Sequence, residues 1–130
     1  MNKKAGRPRA DMTEKEEQIM HFLWNNGPLF VREIVELYDD PKPHFNTVAT
    51  TVRILEQKGH VDHEVVNGSH RFRAVTRMEK VRDGKLRSFI RHYFSDNYLA
   101  AVSTLVSEDK ISIDQLKELI DMVEHSDRDK

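Results

Sequence analysis

Cysteine is absent from this 130-residue chain. Its absence excludes disulfides, thiolate metal sites and redox sensing through thiols. No apolar run is long enough to span a bilayer, so no membrane insertion is expected. The opening residues, Met1 to Arg9, carry lysine and arginine but no apolar stretch behind them. They do not read as a secretory signal, and a cytoplasmic protein is expected. There is no Gly-rich phosphate loop, no cysteine nucleophile and no nucleophile-elbow motif, so an enzyme is not expected. No cofactor is expected either. An excess of one charge is missing too: 21 Lys and Arg stand against 22 Asp and Glu, for a net charge of -1. A strongly basic domain would mark a nucleic-acid binder. Residues 1–75 carry 11 basic and 11 acidic side chains, so any such binding has to come from local placement.

The chain is 38% hydrophobic and 33% charged, a soluble globular composition rather than a disordered one. Residues 1–10 are polar and basic, and read as a flexible arm. Thr13-Glu14-Lys15-Glu16 has capping-box spacing. Ile19, Phe22 and Leu23 follow at helical spacing, with Trp24 beside them, until Gly27-Pro28 ends the helix. A second helix is expected from Val31 to Tyr38, with Val31, Ile34, Val35 and Tyr38 on one face. Asp39-Asp40-Pro41-Lys42-Pro43 breaks it. A third helix is expected from Asn46 to Lys58, with Gly59 where a helix C-terminal glycine belongs.

The period then changes from that of a helix to that of a strand. Val61 to Val65 and Phe72 to Val75 are short strand candidates, and Asn67-Gly68 between them is a strong hairpin signal. Three short helices followed by a hairpin make a winged helix-turn-helix over residues 11–75. Residues 76–130 read as helical, so the fold class is mainly α with a small β-hairpin. Thr76-Arg77-Met78-Glu79 repeats the capping-box spacing. Leu86, Phe89, Ile90 and Tyr93 share a face, and Ser95-Asp96-Asn97 reads as a turn and cap. Tyr98, Val102, Leu105 and Val106 form a second apolar face. Ser112 is expected to cap a last helix, with Asp114 in its first turn and Gln115 three residues on. Ile113, Leu116, Ile120 and Val123 form its stripe. About 50 residues of striped helices hold little core of their own, so a second copy of the chain is the expected partner. The candidate dimer core is Leu86, Phe89, Ile90, Tyr93, Phe94, Leu99, Val102, Leu105, Leu116 and Ile120, some of which pack within one chain.

On a wheel of about 100° per residue, the third helix turns Val48, Val52 and Leu55 to one side. Asn46, Thr47, Thr50, Arg53, Ile54 and Gln57 fall opposite or flanking, with Thr51 between. Amide, hydroxyl and guanidinium groups suit base edges in a major groove. N-terminal residues of such a helix enter deepest, so Asn46, Thr47 and Thr50 are candidates for base contact. Arg53 reaches a base or a phosphate. In the hairpin, Arg71 and Arg73 share one face and are candidate phosphate contacts, while Phe72 turns to the core. A solvated hairpin is the plainer alternative. In the arm, Lys3, Lys4, Arg7 and Arg9 precede the helices, and Gly6-Arg7-Pro8 matches the centre of a minor-groove AT-hook. The arm reads equally as a minor-groove reach by Arg7 and Arg9 or as a solubilising tail.

Together these residues resemble the penicillinase repressor family. The resemblance rests on Thr13 to Trp24, Gly27-Pro28 and Val31-Arg32-Glu33-Ile34. It rests further on Asn46-Thr47-Val48-Ala49-Thr50 and Leu55-Glu56-Gln57-Lys58-Gly59. It covers the winged-helix part almost throughout, and the C-terminal half in helical pattern and length. It implies a homodimer that represses an operon by binding a palindromic operator in double-stranded DNA, with interlocked C-terminal helices. In the antibiotic-resistance branch, a membrane-embedded sensor protease leads to cleavage of the repressor within its dimerisation region. The copper branch senses metal through C-terminal cysteines, which this chain lacks. Two other readings stand beside this one. His60, His63 and His70, with Asp62 and Glu64, offer zinc-ligand chemistry, although half-exposed histidines are the plainer account. A winged helix can also recognise protein rather than DNA.

Overall fold

The computed structural model describes residues 12–128. Within them the order of elements is α1 (Glu14–Asn26), β1 (Leu29–Phe30), α2 (Val31–Leu37), α3 (Phe45–Gln57), β2 (Val61–Val66), β3 (Ser69–Ala74), α4 (Met78–Phe94), α5 (Tyr98–Ser107) and α6 (Ile113–Arg128). The chain divides into two compact units, and the boundary between Gly84 and Lys85 falls inside α4.

The first unit is built on α1 and α3. Thr13 starts α1 with the capping box its spacing predicts. Its hydroxyl accepts the Glu16 N–H and its own N–H donates to Glu16 Oε1, both at 3.1 Å. Lys58 Nζ, just past the end of α3, donates to the same carboxylate oxygen at 2.8 Å. Glu16 is buried, so this ion pair satisfies a carboxylate that would otherwise lack water. Gly27 ends α1 with φ 81°, a left-handed conformation that costs glycine little, and its N–H donates to the Leu23 carbonyl.

Leu29–Phe30 forms a short strand that no alternation in the sequence announces. It pairs antiparallel with β3, Leu29 opposite Phe72 and Phe30 opposite Arg71. The result is a three-stranded sheet in the order β1-β3-β2, rather than an isolated hairpin. The hairpin itself forms as expected. Asn67 and Gly68 both take positive φ, 51° and 80°, as a two-residue type I′ turn requires.

Helix α2 ends at Leu37, and the Lys42 ammonium, from the following turn, donates to the Glu36 and Tyr38 carbonyls at 2.9 and 2.6 Å. A basic group thus satisfies carbonyls that a helix end leaves open. Helix α3 begins one residue earlier than the wheel suggests, because His44 caps it. Its Nδ1 accepts the Asn46 N–H at 3.0 Å. At the other end, the His60 N–H donates to the Leu55 carbonyl and the Gly59 N–H to that of Glu56. Gly59 sits at φ 88°. This is a Schellman stop, and it delivers the chain directly into β2.

The core of this unit joins Ile19, Met20 and Leu23 of α1, Ile34 of α2, Val48, Val52 and Leu55 of α3, and Val61 and Phe72 of the sheet. His60 is also buried, and its Nδ1 lies 2.8 Å from the Thr76 hydroxyl. That contact corrects the cap expected at Thr76. Its hydroxyl is committed to His60, its carbonyl accepts the Trp24 indole N–H at 2.8 Å, and α4 starts only at Met78.

In the second unit, Ser95 and Asp96 make the expected turn with positive φ, and Asn97 caps α5 by accepting the Ala100 N–H at 2.9 Å. Ser112 and Gln115 close the expected capping box in front of α6. Leu86, Phe89, Tyr93, Leu99, Val102, Leu105 and Ile120 are all exposed in the single chain. Phe94 and Leu116 are half-buried, and Ile90 alone of the ten candidates is buried within the chain. Among the described residues no helix is long and apolar enough to cross a membrane.

The buried stripe of α3 gives a direct test of this core. Leu55→Ala is expected to destabilise the protein by about 2–5 kcal/mol, whereas Gln57→Ala on the exposed face changes stability by about 0.5 kcal/mol or less. Urea denaturation followed by circular dichroism measures both.

Candidate nucleic-acid interface

With Val48, Val52 and Leu55 buried, α3 has only one face left to show. Asn46, Thr47, Thr50, Arg53 and Gln57 all lie on it, exposed, as the wheel places them. Thr51 is half-buried, and its hydroxyl is spent on the Thr47 carbonyl at 3.0 Å. The first turn of α3 carries no acidic side chain. The helix's single carboxylate, Glu56, is engaged by His63 Nδ1 at 2.6 Å. The exposed face therefore offers amide and hydroxyl donors and acceptors and one guanidinium, without a competing negative charge. Phe45 stands half exposed at the start of this helix, a large apolar side chain that wheel reasoning from Asn46 onward passed over.

The hairpin is more self-sufficient than its two arginines suggest. Its register sets Glu64 opposite Arg71 and Asp62 opposite Arg73. Arg71 Nε donates to Glu64 at 2.9 Å, its Nη2 reaches the same oxygen, and Arg73 Nε donates to Asp62 at 2.6 Å. The hydrogen bond and the charge of Arg71 hold the Glu64 carboxyl below the usual carboxylate range. The hydrogen bond and charge of Asp62 likewise push the Arg73 guanidinium above its usual value. The two arginines nominated as phosphate contacts are thus cross-strand ion pairs in the free protein. The signal was available: Asp62 and Glu64 lie two apart on one strand face, and a two-residue turn dictates their partners.

The other face of the hairpin carries His63, His70 and Phe72. The register puts His63 opposite Phe72 and Val65 opposite His70, so the two histidines are diagonal neighbours. Their rings stack with centroids 4.0 Å apart and planes 8° from parallel. His60 stays in the core with Thr76. The three histidines do not converge, and among the described residues no group of three or more His, Asp or Glu is placed to hold a metal ion. Between α2, α3 and the hairpin lies an open cleft of about 330 Å³, lined by Arg32, Phe45, Arg53, Glu56, Ser69 and His70 among others. Arg7 and Arg9 of the arm lie outside the described residues.

A helix pair joined by a turn, with the second helix presenting a polar face beside a β-hairpin, defines a winged helix-turn-helix. This is the architecture with which many DNA-binding regulators place a helix in the major groove. The chain belongs to the penicillinase repressor family, whose model matches residues 12–125. The family is one of DNA-binding transcriptional repressors, not of enzymes. No curated protein matches the chain.

The cross-strand pairs carry a pH signature. A carboxyl with a depressed folded value contributes stability above the ordinary carboxylate range and loses it as pH falls through its own lower midpoint. By carboxyl-detected NMR, Glu64 is expected to titrate below the usual Glu value of about 4.3. In Arg71→Gln its midpoint moves back up. An unchanged midpoint in that variant would show that the pair does not persist in solution.

Proposed function

We propose that this protein binds a palindromic operator as a homodimer and represses transcription from it. The observation that carries this reading is the exposed face of α3, which holds Asn46, Thr47, Thr50 and Arg53 opposite a fully buried apolar stripe. Asn matches adenine edges, Thr offers a hydroxyl and a methyl, and Arg matches guanine or a phosphate. Arg71 and Arg73 enter the interface by exchanging their carboxylate partners for phosphate.

The second unit supports the dimer. Seven of its apolar candidates, with Tyr98, Ile113, Leu119, Met122 and Val123 besides, are exposed in one chain, and Leu99 shows 80% of its surface. Isolated apolar side chains on a surface need no explanation, but a set shared by successive helices does. A second copy covers the same stripes with the same chemistry and gives the two-fold symmetry a palindrome requires. Two α3 helices then meet half-sites about 34 Å apart, or a multiple of that. Each half-site contact alone is weak, so any signal that separates the copies releases the DNA. Cleavage by a sensor protease within residues 77–125 is such a signal.

Fluorescence anisotropy with DNA from upstream of the protein's own gene, against a scrambled duplex, tests the reading. The native site is expected to bind about 10³-fold more tightly or better. Thr50→Ala lowers that discrimination by about 1 kcal/mol, the worth of one neutral hydrogen bond. Leu99→Asp combined with Ile120→Asp yields monomers by analytical ultracentrifugation and weakens operator binding while the α3 unit stays folded. Equal, weak binding of every duplex tried would contradict operator recognition and favour a winged helix that recognises protein.

A further inference from the structure

Where β3 gives way to α4, one residue has all its polar groups engaged. The Thr76 N–H donates to the His60 carbonyl at 3.1 Å, beside the Val75 N–H, which donates to the same oxygen at 2.8 Å. The Thr76 hydroxyl shares a hydrogen bond of 2.8 Å with His60 Nδ1. The Thr76 carbonyl accepts the Trp24 indole N–H, also at 2.8 Å. Thr76 and His60 are buried, at 5% and 1% exposure, so water does not compete for the bond between their side chains. Both partners are distant in sequence, His60 by 16 residues and Trp24 by 52. No regular element accounts for these bonds. The β2–β3 ladder closes at Val61 opposite Ala74, and α4 begins only at Met78. The residues between have no ladder of their own, and their polar groups are satisfied by this joint instead.

What the joint connects gives it a consequence beyond local packing. The His60 N–H closes the stop of α3 on the Leu55 carbonyl, and Leu55 belongs to the buried stripe of that helix. Trp24 lies in the last turn of α1 and packs against the same core. Thr76 is therefore tied to the finish of α3 on one side and to α1 on the other. Arg77, the next residue, accepts the Lys80 and Val81 N–H groups at 3.1 and 3.5 Å and so opens the first turn of α4. Helix α4 has 17 residues and carries Leu86, Phe89 and Tyr93 of the exposed apolar stripe. At that length it spans about 25 Å, and a swing of about 10° at its first turn moves its far end by about 4 Å. Successive base pairs are only about 3.4 Å apart. We propose that Thr76 is a positioning residue: through His60 and Trp24 it fastens the start of α4 to the finish of α3, and so holds the two copies of α3 at one separation in the dimer. Thr76 itself touches no DNA. The proposal rests on the homodimer reading above and adds the contact that fixes its half-site spacing.

A distance measured between the two copies tests the joint. The chain has no cysteine, so Gln57→Cys puts one nitroxide per copy on the exposed face of α3. Double electron–electron resonance on the full chain then reads the separation of the two α3 helices without DNA. The labelled protein is expected to give one narrow distribution. Thr76→Val keeps the branched shape and removes the hydroxyl, and is expected to broaden or shift that distribution by about 4 Å or more. Thr76→Ser keeps the hydroxyl and the narrow distribution. Trp24→Phe removes the indole N–H and broadens the distribution as well, which carries the test should Thr76→Val fail to fold by circular dichroism. In binding, Thr76→Val weakens an inverted repeat by roughly fivefold, the worth of one neutral hydrogen bond, and leaves a duplex with a single half-site unchanged. Distributions unchanged in both Thr76→Val and Trp24→Phe would overturn the joint and leave the dimer standing. An equal loss on the repeat and on the half-site would show that Thr76 acts on α3 itself, and would overturn it too. A labelled protein with no dipolar coupling between copies would be a monomer and would overturn both readings.

Discussion

The burial of Val48, Val52 and Leu55 is the contact on which the rest of the first unit depends. Each is almost wholly withdrawn from water, against Ile19, Met20 and Leu23 of α1 and against Ile34, Val61 and Phe72. A helix with three such anchors on one stripe cannot rotate about its axis without exposing them, at several kcal/mol for the set. The same stripe therefore fixes which side chains face outward. Both ends of the helix are held as well, by His44 at the start and by the Gly59 stop at the finish. Lys58, reaching Glu16, ties that finish to the first turn of α1. Asn46, Thr47, Thr50 and Arg53 are presented rigidly because nothing about their own side chains has to hold the helix in place.

Charge follows a second, independent logic. The net charge of -1 gives no hint of a nucleic-acid surface. The fold pairs charges where they do structural duty, Lys58 with Glu16 between α1 and α3 and Arg71 and Arg73 with Glu64 and Asp62 across the hairpin. Exposed ion pairs such as Arg71 with Glu64 contribute little to stability. They do specify strand register, since a shift by one residue would bring unlike partners opposite and turn Phe72 outward. Glu56 is removed from the outward face of α3 in a similar manner, by a hydrogen bond to His63. Among the described residues, Arg32 on α2 and Arg53 on α3 are exposed and have no carboxylate partner.

Much of this was legible in the sequence, and the exceptions have physical causes. The capping boxes at Thr13 and Ser112, the Asn67-Gly68 turn and the Gly59 stop are local, and each formed where its residues predict. The α3 wheel was reliable because its apolar stripe is continuous. Strand β1 was invisible because two residues carry no periodicity; only pairing with Phe72 and Arg71 defines it. Thr76 misled because a hydroxyl with capping-box spacing was claimed by a distant partner, buried His60. Ile90 is the member of its stripe that packs within its own chain, as some of the candidates were expected to, and helical spacing alone does not say which one. At the wing, the arginines were visible and their carboxylate partners were too, but the pairing emerges only when the two strands are read together.

The central claim is that the outward face of α3 reads a symmetric DNA site. Selecting bound fragments from a genome-wide pool and sequencing them tests it most directly. The account predicts a common inverted repeat with half-sites about 10 base pairs apart, or a multiple, centre to centre. Recovery of fragments that share no site would contradict it.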